Sequence, residues 1–81
     1  MKTAPHILVL DDEPMILLDL SIALRSAGCE PVTARSMTKA LRIAEEGRID
    51  GAILDVNLGG GVTCEPVAET LTERGVPFVL H

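Results

Sequence analysis

The sequence predicts an α/β fold: a doubly wound parallel sheet of four strands, order 2-1-3-4, with three helices. Three observations predict it. Short apolar runs alternate with helix-period segments in the order β-α-β-α-β-α-β, which specifies a parallel sheet with right-handed crossovers. The connections are short, without repeats, low-complexity stretches or linkers. Acidic residues stand at the ends of two strand patterns, Asp11 and Asp12 after the first and Asp55 after the third.

Residues 6–10, HILVL, are a short apolar run of the kind covered on both sheet faces. The following segment has apolar residues at 16, 17, 20, 23, 24 and 27, a helical stripe. Pro14 suits its first turn and Gly28 its end. Residues 30–35, EPVTAR, read as an edge strand, because Pro31 cannot donate to a ladder. Ser36 is placed to cap a second helix with Met37, Ala40, Leu41 and Ala44 on one face and Gly47 at its end. Residues 51–56, GAILDV, are the most apolar strand pattern, and 57–61, NLGGG, are a loop. Thr63 is the expected cap of a third helix that turns Val67, Ala68 and Leu71 inward and ends at Gly75. Pro66 is tolerated in its first turn. Residues 76–81, VPFVLH, read as a fourth strand.

With 81 residues the chain is read as one domain, 1–81. Hydrophobic residues make up 47%, and Phe78 is the only aromatic, so the core must be aliphatic. A domain of this size buries only about 60% of its unfolded surface, so its stability margin is thin. The net charge of −5 argues against nucleic-acid backbones and anionic membranes as partners. Cys29 and Cys64 form no CxxC pair and are expected as free, buried or half-buried thiols. MKTAPHILVLDDEP lacks the form of a signal peptide, and no apolar run reaches the ~18–20 residues of a membrane span. The expected location is the cytoplasm.

The stretch AILDVNLGGG carries an apolar strand straight into Asp55. A carboxylate there is costly to desolvate unless something pairs with it. In a parallel sheet every C-terminal strand end lies at one edge, and order 2-1-3-4 makes the first and third strands neighbours at the switch point where such sheets bind ligands. Asp11, Asp12 and Asp55 then share one pocket. At about 5 Å and an effective dielectric near 20, each close pair repels by roughly 3 kcal/mol. A hard divalent cation removes that repulsion, and Mg2+ typically takes one or two carboxylates together with a phosphate. Asp12 taken alone is equally a helix cap. Gly59, Gly60 and Gly61 read as a permissive loop, with an anion-binding nest as the alternative. His6 and His81 are read as a strand-edge and a terminal residue without a catalytic role.

LVLDDEP, then LDVNLGGG about 40 residues later, then VPFVL, resembles the receiver domain of bacterial two-component response regulators over essentially the whole chain. The resemblance implies a flavodoxin-like sheet and Asp55 as phosphoacceptor. It also implies Mg2+ held by Asp12, Asp55 and the Asn57 backbone carbonyl, with Asp11 acting through water. The reaction is in-line attack of the Asp55 carboxylate on a phosphoryl group carried by a sensor histidine kinase, a phosphotransfer protein or a small phosphodonor. A receiver assists only its own phosphorylation and dephosphorylation and is not otherwise an enzyme.

The pattern departs from the family in four places. A loop Pro expected four residues after the phosphoacceptor is Gly59. The switch Thr or Ser would fall at position 82, and the phosphate-pairing Lys has no counterpart, the lysines being Lys2 and Lys39. The fifth strand and last two helices are absent from the 81 residues. The expectation is therefore a receiver truncated within or just after its fourth strand and impaired as a switch. Its fourth strand would be an exposed apolar edge and one sheet face partly uncovered, favouring a homodimer. The alternative is a non-phosphorylated, receiver-like dimerisation or protein-interaction module. An Asp-nucleophile phosphatase is disfavoured by DDEP after the first strand, and a nucleotide-binding domain by the lack of G-x-G-x-x-G.

Overall fold

The computed structural model describes residues 3–81. Lys2 lies outside the described residues. Seven elements follow in the expected order: β1 (His6–Leu10), α1 (Pro14–Ser26), β2 (Glu30–Ala34), α2 (Met37–Glu46), β3 (Gly51–Leu54), α3 (Glu65–Glu73) and β4 (Phe78–Leu80). The sheet is parallel with order β2-β1-β3-β4. Val9 pairs with Thr33 on one side and Ile53 on the other, and Ile53 pairs with Val79.

Alternation along the strands sorts the core into two layers. Leu8, Leu10, Ala52 and Leu54 join Ala40 and Ala44 of α2 and Val67 and Leu71 of α3 in one buried cluster. Val9 and Leu17 are buried outside it, where α1 packs on β1 and β2. The core is largely aliphatic, as the composition required, with buried Cys64 in the cluster and Phe78 packed against it. The second and third helices bury the expected faces, with Met37, Leu41 and Ala68 half-buried at the margin. In α1 the stripe is narrower than expected. Leu17 is buried, Ile16, Leu20 and Leu24 are half-buried, and Ala23 and Ala27 face solvent. Ser21 is buried instead.

The glycines end two helices as expected. Gly28 and Gly75 take φ of 85° and 71°. The next N–H then reaches back, Cys29 to the Leu24 carbonyl and Val76 to the Leu71 carbonyl, each at 2.8 Å. That six-to-one bond is the Schellman ending, which needs a left-handed residue. Ser36 caps α2, its Oγ accepting the Lys39 N–H at 3.2 Å. The cap of α3 differs from expectation. It is Cys64, without a side-chain bond, and Thr63 sits one residue earlier with its Oγ1 accepting the Glu65 N–H at 3.4 Å. The cause is a bridge between Asn57 and Thr63 that holds Thr63 in the preceding loop.

Two strands are shorter than their apolar patterns. β3 ends at Leu54 and β4 spans Phe78–Leu80. The ladder nevertheless continues past both ends. The Asp55 N–H donates to the Leu10 carbonyl at 2.9 Å and the His81 N–H to the Leu54 carbonyl at 2.7 Å. These bonds position the site.

Candidate functional site

Asp11 follows β1 directly, and its N–H donates to the Ala34 carbonyl at 3.1 Å. Its backbone is thus gripped by β2 while the chain turns into α1. Its Oδ1 accepts the Glu13 N–H at 2.9 Å, an Asx-type turn that leads into the helix. The residue is 3% exposed. Asp11 thus shapes the turn before α1 with only one of its oxygens, and the N-cap of α1 is Glu13, not Asp12. The Asp11 Oδ2 lies 4.0 Å from His81 Nδ1.

Asp55 follows β3 at the same edge, anchored by the bond to Leu10. Its Oδ1 accepts the Asn57 N–H at 3.3 Å, and Asn57 Oδ1 accepts the Gly59 N–H at 2.9 Å. Two successive Asx turns thus carry the chain away from the strand. Gly59, Gly60 and Gly61 all take positive φ, 85°, 57° and 80°. The loop closes on itself, the Leu58 N–H donating to Val62 and the Val62 N–H to Gly59 at 3.0 and 2.9 Å. This is the permissive loop expected from the sequence. Pro could not replace Gly59, because its ring fixes φ near −65° and removes the N–H that Asn57 holds.

The structure brings Asp11, Asp55 and His81 together: one ligand atom from each lies within 4.8 Å of the others. Asp12 stands outside that group. It is exposed beside the glycine loop, where a Cβ on Gly59 would lie 3.8 Å from its Oδ2. The donor chemistry fits a divalent cation, since two carboxylates face one another at one edge with no cationic lysine or arginine in an ion pair with either among the described residues. His81 is the member of this group to which the sequence reading gave no catalytic role. Its signal was topological: β4 pairs parallel to β3, so whatever follows Leu80 arrives at the acid edge.

Cys64 is buried at the start of α3, and Cys29 is half-buried; both are free. Burial pushes the Cys64 thiol pKa up, with a smaller contribution from the Asp55 carboxylate. No described helix is long and apolar enough to cross a membrane.

No family model matches the chain. Solved structures do. SdrG from Sphingomonas melonis Fr1 superposes with a TM-score of 0.87 at 44% identity, over 99% of this chain and 69% of that one. The response regulator protein TrrA from Thermotoga maritima, solved in complex with Mg2+-BeF, gives 0.83 at 32% identity, over 94% and 67%. Among curated proteins, the transcriptional regulatory protein PrrA of Mycobacterium tuberculosis is 43% identical over 56 residues, 69% of this chain. The chain spans 24% of the length of that relative.

Proposed function

We propose that this chain, which belongs to the response regulator receiver domains of two-component systems, accepts a phosphoryl group on Asp55. The observation that carries the reading is the state of the Asp55 carboxylate. It stands at the switch-point edge, half-buried, with Oδ1 committed to the Asn57 N–H and Oδ2 accepting no hydrogen bond among the described residues. One oxygen is oriented and the other is free to attack. The Oδ2–phosphorus bond forms as the bond from phosphorus to the donor, a kinase histidine nitrogen or a small-molecule oxygen, breaks in line with it. The leaving electron pair stays with the donor. The Asp11 carboxylate stays buried beside the site, its Oδ1 tied to Glu13, and its negative charge favours a cation in that space. Mg2+, when bound, supplies neutralisation of the phosphoryl oxygens. TrrA, in complex with Mg2+-BeF, supports the choice of ion.

The chain acts only on its own carboxylate, and its donor partner is a sensor kinase or a phosphotransfer protein. Its lysines are Lys2 and Lys39, with Lys39 in the first turn of α2. No lysine pairs with Asp55 among the described residues. A second reading, a receiver-like module that associates without phosphorylation, is favoured by one observation. Val79 and Leu80 on the β4 edge are 60% and 58% exposed, and Met15, Leu18 and Ile22 form an exposed stripe on α1. An open apolar groove of about 290 Å3 lies between them, lined by Ile7, Leu24, Ile53, Phe78 and Val79. A homodimer through that edge or face is compatible with both readings.

Intact mass after incubation with acetyl phosphate, with and without Mg2+, tests the proposal on wild type and Asp55→Asn. One metal-dependent phosphoryl group, absent in the variant, is expected. No gain under any condition leaves the association module.

A further inference from the structure

We propose, resting on the reading of this pocket as a cation site, that His81 is a nitrogen ligand. It turns the site toward first-row transition cations, Zn2+ and Co2+ foremost, over Mg2+. Three observations carry this. First, the backbone of His81 is held on both sides: its N–H donates to the Leu54 carbonyl at 2.7 Å and its carbonyl accepts the Val56 N–H at 3.5 Å. The residue is thereby pinned as an extension of β4 beside β3, on the edge where Asp11 and Asp55 end their strands. Second, its Nδ1 and one oxygen from each carboxylate lie within 4.8 Å of one another. Two ligands about 2.1 Å from one tetrahedral ion lie roughly 3.4 Å apart, not far below the separations in this group. Third, the Asp11 side chain is only 4% exposed, and its Oδ2 accepts no hydrogen bond among the described residues, His81 being 4.0 Å away and beyond reach of one. The 4.0 Å between Asp11 Oδ2 and His81 Nδ1 brings carboxylate and imidazole close to the separation of two ligands that share one ion.

The chemistry then separates the ions. Mg2+ takes oxygen ligands and gives up its waters reluctantly, so an imidazole adds little to its binding. Imidazole suits first-row divalent ions such as Zn2+ and Ni2+, and affinity for a mixed nitrogen and oxygen site climbs from Mn2+ through Co2+ and Ni2+ to Cu2+ before it falls at Zn2+. The exposure of His81 permits the ring to swing onto the ion while Asp11 stays fixed by Glu13.

Calorimetry with ZnCl2 and MgCl2, and absorption spectra with CoCl2, test this on wild type, His81→Gln and Asp55→Asn. His81→Gln keeps the backbone bonds and removes only the imidazole. Wild type is expected to bind Zn2+ more tightly than Mg2+. His81→Gln is expected to lose Zn2+ affinity at least about tenfold, to change the cobalt visible bands, and to keep its Mg2+ affinity. Asp55→Asn is expected to weaken both ions. Unchanged Zn2+ binding and cobalt spectrum in His81→Gln, with Mg2+ still bound, overturn the ligand role of His81 and leave the cation site standing. Failure of wild type to bind either ion overturns the site itself, and with it the metal-assisted reading of Asp55.

Discussion

The Asn57 N–H donates to Asp55 Oδ1 at 3.3 Å, so the residue two positions after the proposed phosphoacceptor orients it. The same Asn57 accepts the Gly59 N–H through its own Oδ1. The loop and the nucleophile are thus one hydrogen-bonded unit, and changes in the loop should be felt at the carboxylate.

Asp55→Asn keeps the shape and an acceptor oxygen for that bond while removing the nucleophile. Phosphorylation by acetyl phosphate should vanish, and the thermal midpoint should stay close to wild type. A variant that still gains a phosphoryl group would move the acceptor to another carboxylate at the same sheet edge, Asp11 or Asp12.

Gly59→Pro should destabilise the chain by about 3 kcal/mol or more, since φ of 85° is closed to the ring and the Asn57 bond is lost. Gly60→Ala, where a Cβ meets nothing within 4 Å, should cost only the left-handed backbone, about 1–2 kcal/mol. Urea unfolding of both variants checks the order; equal midpoints would mean the loop is not held as described.

Leu8→Ala removes a side chain with no solvent exposure from the layer shared by α2 and α3. Such truncations cost about 2–5 kcal/mol. In a domain this small that is enough to unfold much of the population, and far-ultraviolet circular dichroism should show it. Leu18→Ala, on the solvent side of α1 at 51% exposure, should change stability little and serves as the control.

Val79→Lys places a charge on the β4 edge, where the side chain is 60% exposed. Charged edge residues block strand pairing. Native mass spectrometry should show any dimer of wild type shifted toward monomer. A dimer that persists in Val79→Lys but is lost in Leu18→Ser would place the contact on α1 instead.

Cys64 should be the slow thiol. Iodoacetamide at pH 8 should modify half-buried Cys29 first, because burial raises the Cys64 pKa above its ordinary 9.0 and shields its sulfur. The linkage sign follows. The folded value is the higher one, so the stability Cys64 contributes is full below pH 9.0 and is lost as pH rises through the folded value. Cys64→Ala should flatten that alkaline decline.

Much of this was legible in the sequence because the signals are local. The helical stripes, Ser36 as a cap, and Gly28 and Gly75 as helix ends each depend on a few consecutive residues. Where residue composition misled, a side-chain turn or a contact within the loop was the cause. Thr63 has the composition of a cap, yet pairing with Asn57 moved the cap to Cys64. Apolar character extends β3 to Val56 on paper, whereas the Asx turn at Asp55 ends it at Leu54.

The sequence by itself determined the order of elements, the parallel sheet and the edge where the acids gather. Periodicity and strand-end residues specify those without reference to distant partners. Only the tertiary structure decided which side chains share the pocket. The register of β4 on β3 delivers His81 to Asp11, and the turn after β1 buries Asp11 while leaving Asp12 beside the glycine loop. Those outcomes depend on non-local pairing and on side-chain direction after a turn, and adjacent residues do not encode either one.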